Sequence, residues 1–167
     1  AFNQDIGSWD VSNVTNMSNM FYEAVFNNGG SSSINNWNTG SVTNMSYMFS
    51  APVSGGGFNY FNQPIGNWDT SSVTNMSRMF NRAVSFNQNI SAWDVSNVTD
   101  INSMFFTADA FNQDIGGWNV SNVTVFVDFM VTKTPATYSA ANLDSIYSKW
   151  SLLTVSPNEL ISFGSAQ

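Results

Sequence analysis

Residues 2–21 read Phe2-Asn3-Gln4-Asp5-Ile6-Gly7-Ser8-Trp9-Asp10-Val11-Ser12-Asn13-Val14-Thr15-Asn16-Met17-Ser18-Asn19-Met20-Phe21. The frame of this run, roughly I-x-x-W-(D/N)-(V/T)-x-x-V-T-x-M-x-x-M-F, returns around Trp37, Trp68, Trp93 and Trp118. Ile stands three residues before each Trp (Ile6, Ile34, Ile65, Ile90, Ile115), and Val-Thr begins five after it. Twelve after each Trp come Phe21, Phe49, Phe80, Phe105 and finally Met130. The Trp residues are 28, 31, 25 and 25 apart, so every difference in length falls between one Met-Phe and the next Ile. Self-similarity at a fixed period is the signature of stacked repeats, and a fixed stretch is one that packs on its neighbours in register. The extra residues at 28–33 and 52–57 are rich in Gly and Ser and are expected as surface loops at equivalent points of the repeat.

Inside a unit two periods are legible. Trp9 and Val11 alternate with Ser8, Asp10 and Ser12, the period of a short strand with one buried face. Met17, Met20, Phe21 and Ala24 then fall at helical spacing behind Thr15, a candidate N-cap. Neither piece is long enough to stand alone, so stacking of units has to supply the core. The expected fold is therefore an α/β solenoid over residues 1–130. It would be a leucine-rich-repeat-like, right-handed coil with one short parallel strand and one short helix per unit, and a parallel β-helix is the alternative. The five Trp residues should form one buried column.

Residues 131–167 are expected to cap the C-terminal end. In the fifth unit Phe126-Val127-Asp128-Phe129-Met130 replaces the usual Met-x-x-Met-Phe, adding apolar positions that something must cover. Leu143, Ile146, Tyr147, Trp150 and Leu153 share one helical face behind Ser139, which predicts an amphipathic capping helix over 139–153. The opening Ala1-Phe2-Asn3-Gln4, already in repeat phase, reads as a fragment or a processed product.

These residues carry a family resemblance. The run at 2–21 resembles the repeat of the BspA-type leucine-rich-repeat surface proteins, found in bacterial surface lipoproteins and in proteins of marine phages. The resemblance covers about 1–130, with Tyr138 onward similar to that family's cap. The second unit departs from it by lacking Phe-Asn-Gln directly before Ile34, and the third carries Pro64 where others have Asp or Asn. The resemblance implies adhesion or protein binding at an extracellular, cell or virion surface, and it implies no catalytic residue.

Composition narrows the chemistry. The 167 residues contain no Cys and no His, which removes disulfides, thiolate zinc sites and the commonest general base. Four basic residues against eleven acidic ones give a net charge of −7, the wrong sign for gripping phosphates, so no nucleic-acid partner is expected. No apolar run is long enough to span a bilayer, and membrane insertion is not expected. The Asp/Asn column Asp10, Asn38, Asp69, Asp94 and Asn119 is the candidate interaction face. Adjacent carboxylates such as Asp69 and Asp94 invite a calcium or glycosidase reading. Free exchange of Asp for Asn along the column argues instead for solubility and hydrogen bonding. Phe-Asn-Gln at 2–4, 61–63, 86–88 and 111–113 reads as a Phe ladder with Asn serving turn backbone. The functional expectation is a non-enzymatic binding or adhesion protein without metal or cofactor, its partner a protein, a cell surface or copies of itself. A fibre or decoration protein of a phage virion or surface layer is the alternative.

Overall fold

The computed structural model describes residues 2–52 and 56–153. The five units, called coils 1–5 after Trp9, Trp37, Trp68, Trp93 and Trp118, lie one on the next. Parallel bridges join Asn16 to Asn44, Asn44 to Asn75, Asn75 to Asp100 and Asp100 to Val125. The bridge column sits at the residue after Thr, not at the Trp-x-Val segment where alternation predicts a strand. At that segment the chain turns instead. The Oδ1 of Asp10 accepts from Ser12 N–H, and Val14 N–H returns to the Val11 carbonyl. Trp and Val alternate because both point inward from a turn, which gives the same period as a strand.

The helix expected after Thr is also absent. In coil 3, Met76, Arg78, Phe80 and Arg82 donate their N–H groups to coil 4, to the carbonyls of Asp100, Asn102, Met104 and Phe106. The amides between them close turns, from Met79 to Met76, Asn81 to Arg78 and Ala83 to Phe80. Arg78 and Arg82 have φ of 55° and 61°, the positive value that the third residue of a type II turn requires. A run of such turns brings a side chain inward every three or four residues, so Met76, Met79, Phe80 and Ala83 imitate a helical face. It also frees every second amide to bond the next coil, which a helix cannot do.

The core is built from three ladders. Trp37, Trp68, Trp93 and Trp118 stack with centroids 6.0–6.5 Å apart and planes within 9°. Phe21, Phe49, Phe80 and Phe105 form a second ladder at 5.4–5.8 Å. Phe2, Phe26, Phe61, Phe86 and Phe111 form a third at 6.0–6.3 Å. Trp9 departs from the expected buried column: it is 51% exposed, since among the described residues no coil lies on its outer side.

Phe26 corrects the reading of the second unit. Phe26-Asn27-Asn28 is its Phe-Asn-Gln equivalent, separated from Ile34 by the extra residues. An amide ladder shows this directly. Asn3 Oδ1 accepts from Asn27 N–H, Asn27 from Asn62, Asn62 from Asn87, Asn87 from Asn112, and Asn112 from Ser139. The two insertions are therefore not at equivalent points, because one follows the Phe-Asn step and the other precedes it. The segment 28–33 is also not a bare loop. Short 3₁₀ turns span Asn28–Gly30 and Ser32–Asn36, anchored by a fully buried Asn28. The second insertion is described only at Pro52, Gly56 and Gly57.

Helix α1 (Ala140–Trp150) closes the other end, shorter than the expected 139–153, with Ser139 Oγ accepting from Asn142 N–H. Leu143, Ile146 and Trp150 are buried beneath it and Leu153 packs against the core, whereas Tyr147 of the expected face is 45% exposed. The cap imitates a coil. Tyr138 donates its hydroxyl to the Gln113 carbonyl, and Asn142 Nδ2 bonds Asn112 as the Gln88 amide bonds Asn62. Gly116 is needed for this contact, since a Cβ there would lie 2.4 Å from Ser145 Oγ. The part of the expected cap beyond residue 153 lies outside the described residues.

Candidate functional site

The Asp/Asn column has a local job in every coil. Asp10, Asn38, Asp69, Asp94 and Asn119 are all exposed, and each Oδ1 accepts the backbone N–H two residues on. Ser12, Ser71 and Ser121 add a hydroxyl to the same oxygen. This turn needs one acceptor oxygen and no charge, which is why Asn serves as well as Asp. The serine hydroxyl, then the backbone amide, holds the carboxyls of Asp10, Asp69 and Asp94 below their ordinary range, with the charge of Asp69 pushing Asp94 slightly back up. Asp5 is held at about 2, chiefly by the Ser33 hydroxyl. Among the described residues no group of three carboxylates gathers as a metal cage.

A different row carries the variety. In the frame M-x-x-M, which becomes Ile101-x-x-Met104 in coil 4 and Phe126-x-x-Phe129 in coil 5, the second variable slot holds Asn19, Tyr47, Arg78, Ser103 and Asp128 in coils 1 to 5. All five have φ between 52° and 59°, so the backbone is the same while the chemistry changes at each step. Asn tolerates this left-handed region, whereas other side chains are held there at a cost of roughly 1 kcal/mol each. Three residues further along lie Tyr22, Ser50, Asn81 and Phe106. Together with Pro52 these two rows, Asn19 excepted, line an open groove of about 570 Å³. The fixed frame makes the groove, and the variable slots give it character.

Arg78 is the centre of that groove. Its Nη1 donates to the Tyr47 hydroxyl at 2.7 Å, and its guanidinium carbon lies 5.4 Å from the Tyr47 ring centroid. Tyr22 meets Tyr47 edge to face at 6.2 Å. Burial, reinforced by the Glu23 charge, raises the Tyr22 hydroxyl pKa, so that hydroxyl stays a neutral donor. Among the described residues no carboxylate lies within 4 Å of the Arg78 guanidinium, although the chain carries net charge −7. Arg82 braces the rim, with Nε bonding the Gly57 carbonyl and its guanidinium 4.6 Å over the Phe58 ring. Phe58 and Tyr60 stand exposed beside it, at 41% and 55%.

The groove thus offers aromatic faces, one cation and, two coils on, the Asp128 carboxylate. These groups suit contact with a mixed polar and aromatic surface. Reading the sequence by its repeated residues misses the site, because the site lies where the repeat does not repeat. A different residue in every coil at one slot, between flanking positions that stay apolar, was the available signal.

Comparison with known proteins bears on the frame as a whole. The family model described as "Mycoplasma protein of unknown function, DUF285" matches residues 1–54 and again residues 31–150. The chain belongs to the DUF285 family. Two overlapping matches displaced along the sequence are what a repeat-built family gives, since the frame around Trp37 falls inside both. No curated protein and no solved structure matches the chain. No helix of the described residues is long and apolar enough to cross a membrane.

Proposed function

We propose that this DUF285 chain is a non-enzymatic, surface-exposed repeat protein of the BspA type, a leucine-rich-repeat-like solenoid that binds a protein partner through the Tyr22–Asp128 groove. The observation that carries the reading is the single backbone slot occupied by Asn19, Tyr47, Arg78, Ser103 and Asp128. Packing accounts for the apolar positions of the frame, and nothing in packing asks for five different side chains at one backbone slot that runs from exposed at Asn19 and Asp128 to buried at Ser103. The acidic column on the turns contributes solubility and long-range charge rather than the contact itself.

The test uses Asn at the variable slot, because Asn19 already occupies it in coil 1. Tyr47→Asn and Arg78→Asn, singly and together, should leave the melting temperature unchanged or slightly raised. Binding is measured by biolayer interferometry against a panel of purified extracellular-matrix and cell-surface proteins. Saturable binding that the double variant loses supports the groove. Binding of equal strength by the double variant would move the contact elsewhere and sink the proposal.

A further inference from the structure

Arg78 and Asn81 stand side by side in the groove, with the Asn81 N–H closing a turn on the Arg78 carbonyl at 3.1 Å. Three Asn residues are buried among the described residues, and two of them spend their side-chain amides inside the molecule. Asn28 bonds Ile6, Ser31 and Ser33, and Asn59 bonds Phe21, Ala24 and Phe61. Asn81 is only 5% exposed, yet its side-chain amide meets no partner among the described residues. A polar group that loses its water without gaining a partner is costly. The fold does not ask for this one, since the same slot holds Ser50 in coil 2 and Phe106 in coil 4. Arg78 is underused in the same way. One of its five N–H groups goes to the Tyr47 hydroxyl, and the others find no acceptor among the described residues. The Tyr47 hydroxyl, having accepted that bond, keeps its own proton to give. Guanidinium, phenol and amide thus converge on one stretch of groove as donors, with no acceptor facing them among the described residues.

On the reading that a protein partner docks in this groove, we propose that the partner seats a Glu side chain on Arg78, Asn81 Nδ2 and the Tyr47 hydroxyl, with a Lys or Arg two residues along meeting Asp128. A donor set with one formal positive charge matches a planar group with one negative charge and two acceptor oxygens. Asp128 lines the same groove two coils on, roughly 10 Å along the stack. Residues i and i+2 of an extended segment point the same way about 7 Å apart, and the reach of the Glu and Lys side chains covers the difference. Asp128 and the net charge of −7 work against a ligand that carries several negative charges. The fit is therefore to an acidic residue paired with a basic one, and not to an acidic run.

The chain has two Arg residues, so proton–nitrogen NMR gives two Nε–H signals, and Arg82, whose Nε bonds the Gly57 carbonyl, is the internal control. The capped peptide Gly-Glu-Gly-Lys-Gly should move the Arg78 Nε–H signal saturably and leave that of Arg82 in place. Changing its Glu to Gln should weaken binding about tenfold, the difference between a charged and a neutral acceptor. Changing its Lys to Glu should weaken binding severalfold. Asn81→Ser, which installs the residue of coil 2, should weaken the Glu peptide severalfold without lowering the melting temperature. The comparison of Glu with Gln is made on the parent chain and stands whether or not that variant folds. Equal binding of the Glu and Gln peptides would overturn the carboxylate, as would an Arg78 signal that no peptide moves. Either result leaves the groove itself to the Tyr47→Asn, Arg78→Asn double variant, whose loss of partner binding is a separate reading. Full binding by Asn81→Ser would remove Asn81 from the site. Glucuronate moving Arg78 at a lower concentration than the Glu peptide would overturn the proposal in favour of an acidic sugar.

Discussion

The indole Nε1 of Trp68 donates to the carbonyl oxygen of Ile34, 2.9 Å away in the preceding coil. Trp37, Trp93 and Trp118 repeat the bond to Ile6, Ile65 and Ile90. Each Trp is therefore both a rung of the aromatic ladder and a staple to the coil before it. Trp68→Phe removes the staple and part of the rung, and should cost about 1–3 kcal/mol in denaturant unfolding. Trp9→Phe removes neither, and should stay within about 0.5 kcal/mol of the parent. Equal losses for the two would show that neither the stacking nor the bond to the earlier coil carries the effect.

Asn28 supplies the second prediction. It is fully buried, its Oδ1 accepts from Ile6 N–H, and its Nδ2 donates to the Ser31 carbonyl and Ser33 Oγ. Asn28→Ala leaves a buried amide and a carbonyl without partners, and should cost roughly 2–3 kcal/mol. Ser32→Ala, at an exposed position of the same insertion, should be neutral in the same assay.

How much of this was readable from the residues depends on which period carried the message. The repeat, the Trp and Phe positions, the Ser139 cap and the inward Met residues all follow from spacing alone. Strand and helix did not, because Asx turns at Asp10 and its equivalents place Trp and Val on one side just as a strand would. The positive-φ turns at Asn19 and Glu23 likewise return Met17, Met20, Phe21 and Ala24 to one face as a helix would. Side-chain period reports which way residues point, and two backbones can share it. Phe26-Asn27-Asn28 was hidden by the insertion that separates it from Ile34. The groove was hidden for the opposite reason, since a search for likeness passes over the slot that differs.

Acid titration tests the Asp column. Asp10, Asp69 and Asp94 sit below the ordinary carboxylate value of 3.8 in the folded chain, held there first by serine hydroxyls and then by backbone amides. A depressed folded value stabilises above the unfolded value and is lost as pH falls through the folded one. The parent should therefore lose denaturant resistance as pH falls below about 4, through the lowered folded values of these three carboxyls. The triple variant Asp10→Asn, Asp69→Asn, Asp94→Asn keeps the turn, as Asn38 and Asn119 do, but has nothing to titrate there. It should match the parent near pH 7 and decline less steeply in acid. A large loss at pH 7 would mean that charge, and not the acceptor oxygen, is what these positions provide.

Lys133 gives the alkaline counterpart. Its side chain is buried, and Nζ donates to the carbonyls of Ala108, Asp109 and Phe111, tying the end of coil 5 to the turn beneath it. Burial lowers its pKa to about 8 from an ordinary 10.5, with the Asp109 charge pulling the other way. Below pH 8 the ammonium is charged in both folded and unfolded chains. Between about 8 and about 10 the unfolded chain holds more protons than the folded one, so stability rises with pH. Tyr138, whose buried hydroxyl is held neutral well above its ordinary value of 10.0, turns the trend downward beyond that point, because only the unfolded chain ionises there. The urea midpoint should climb from pH 8, peak near about pH 10 and then fall. Lys133→Met should be less stable at every pH, since it strands three carbonyls, and should lack the climb while keeping the fall. A parent midpoint that stays level from pH 8 to 10 would show that the three carbonyls hold the ammonium charged despite its burial.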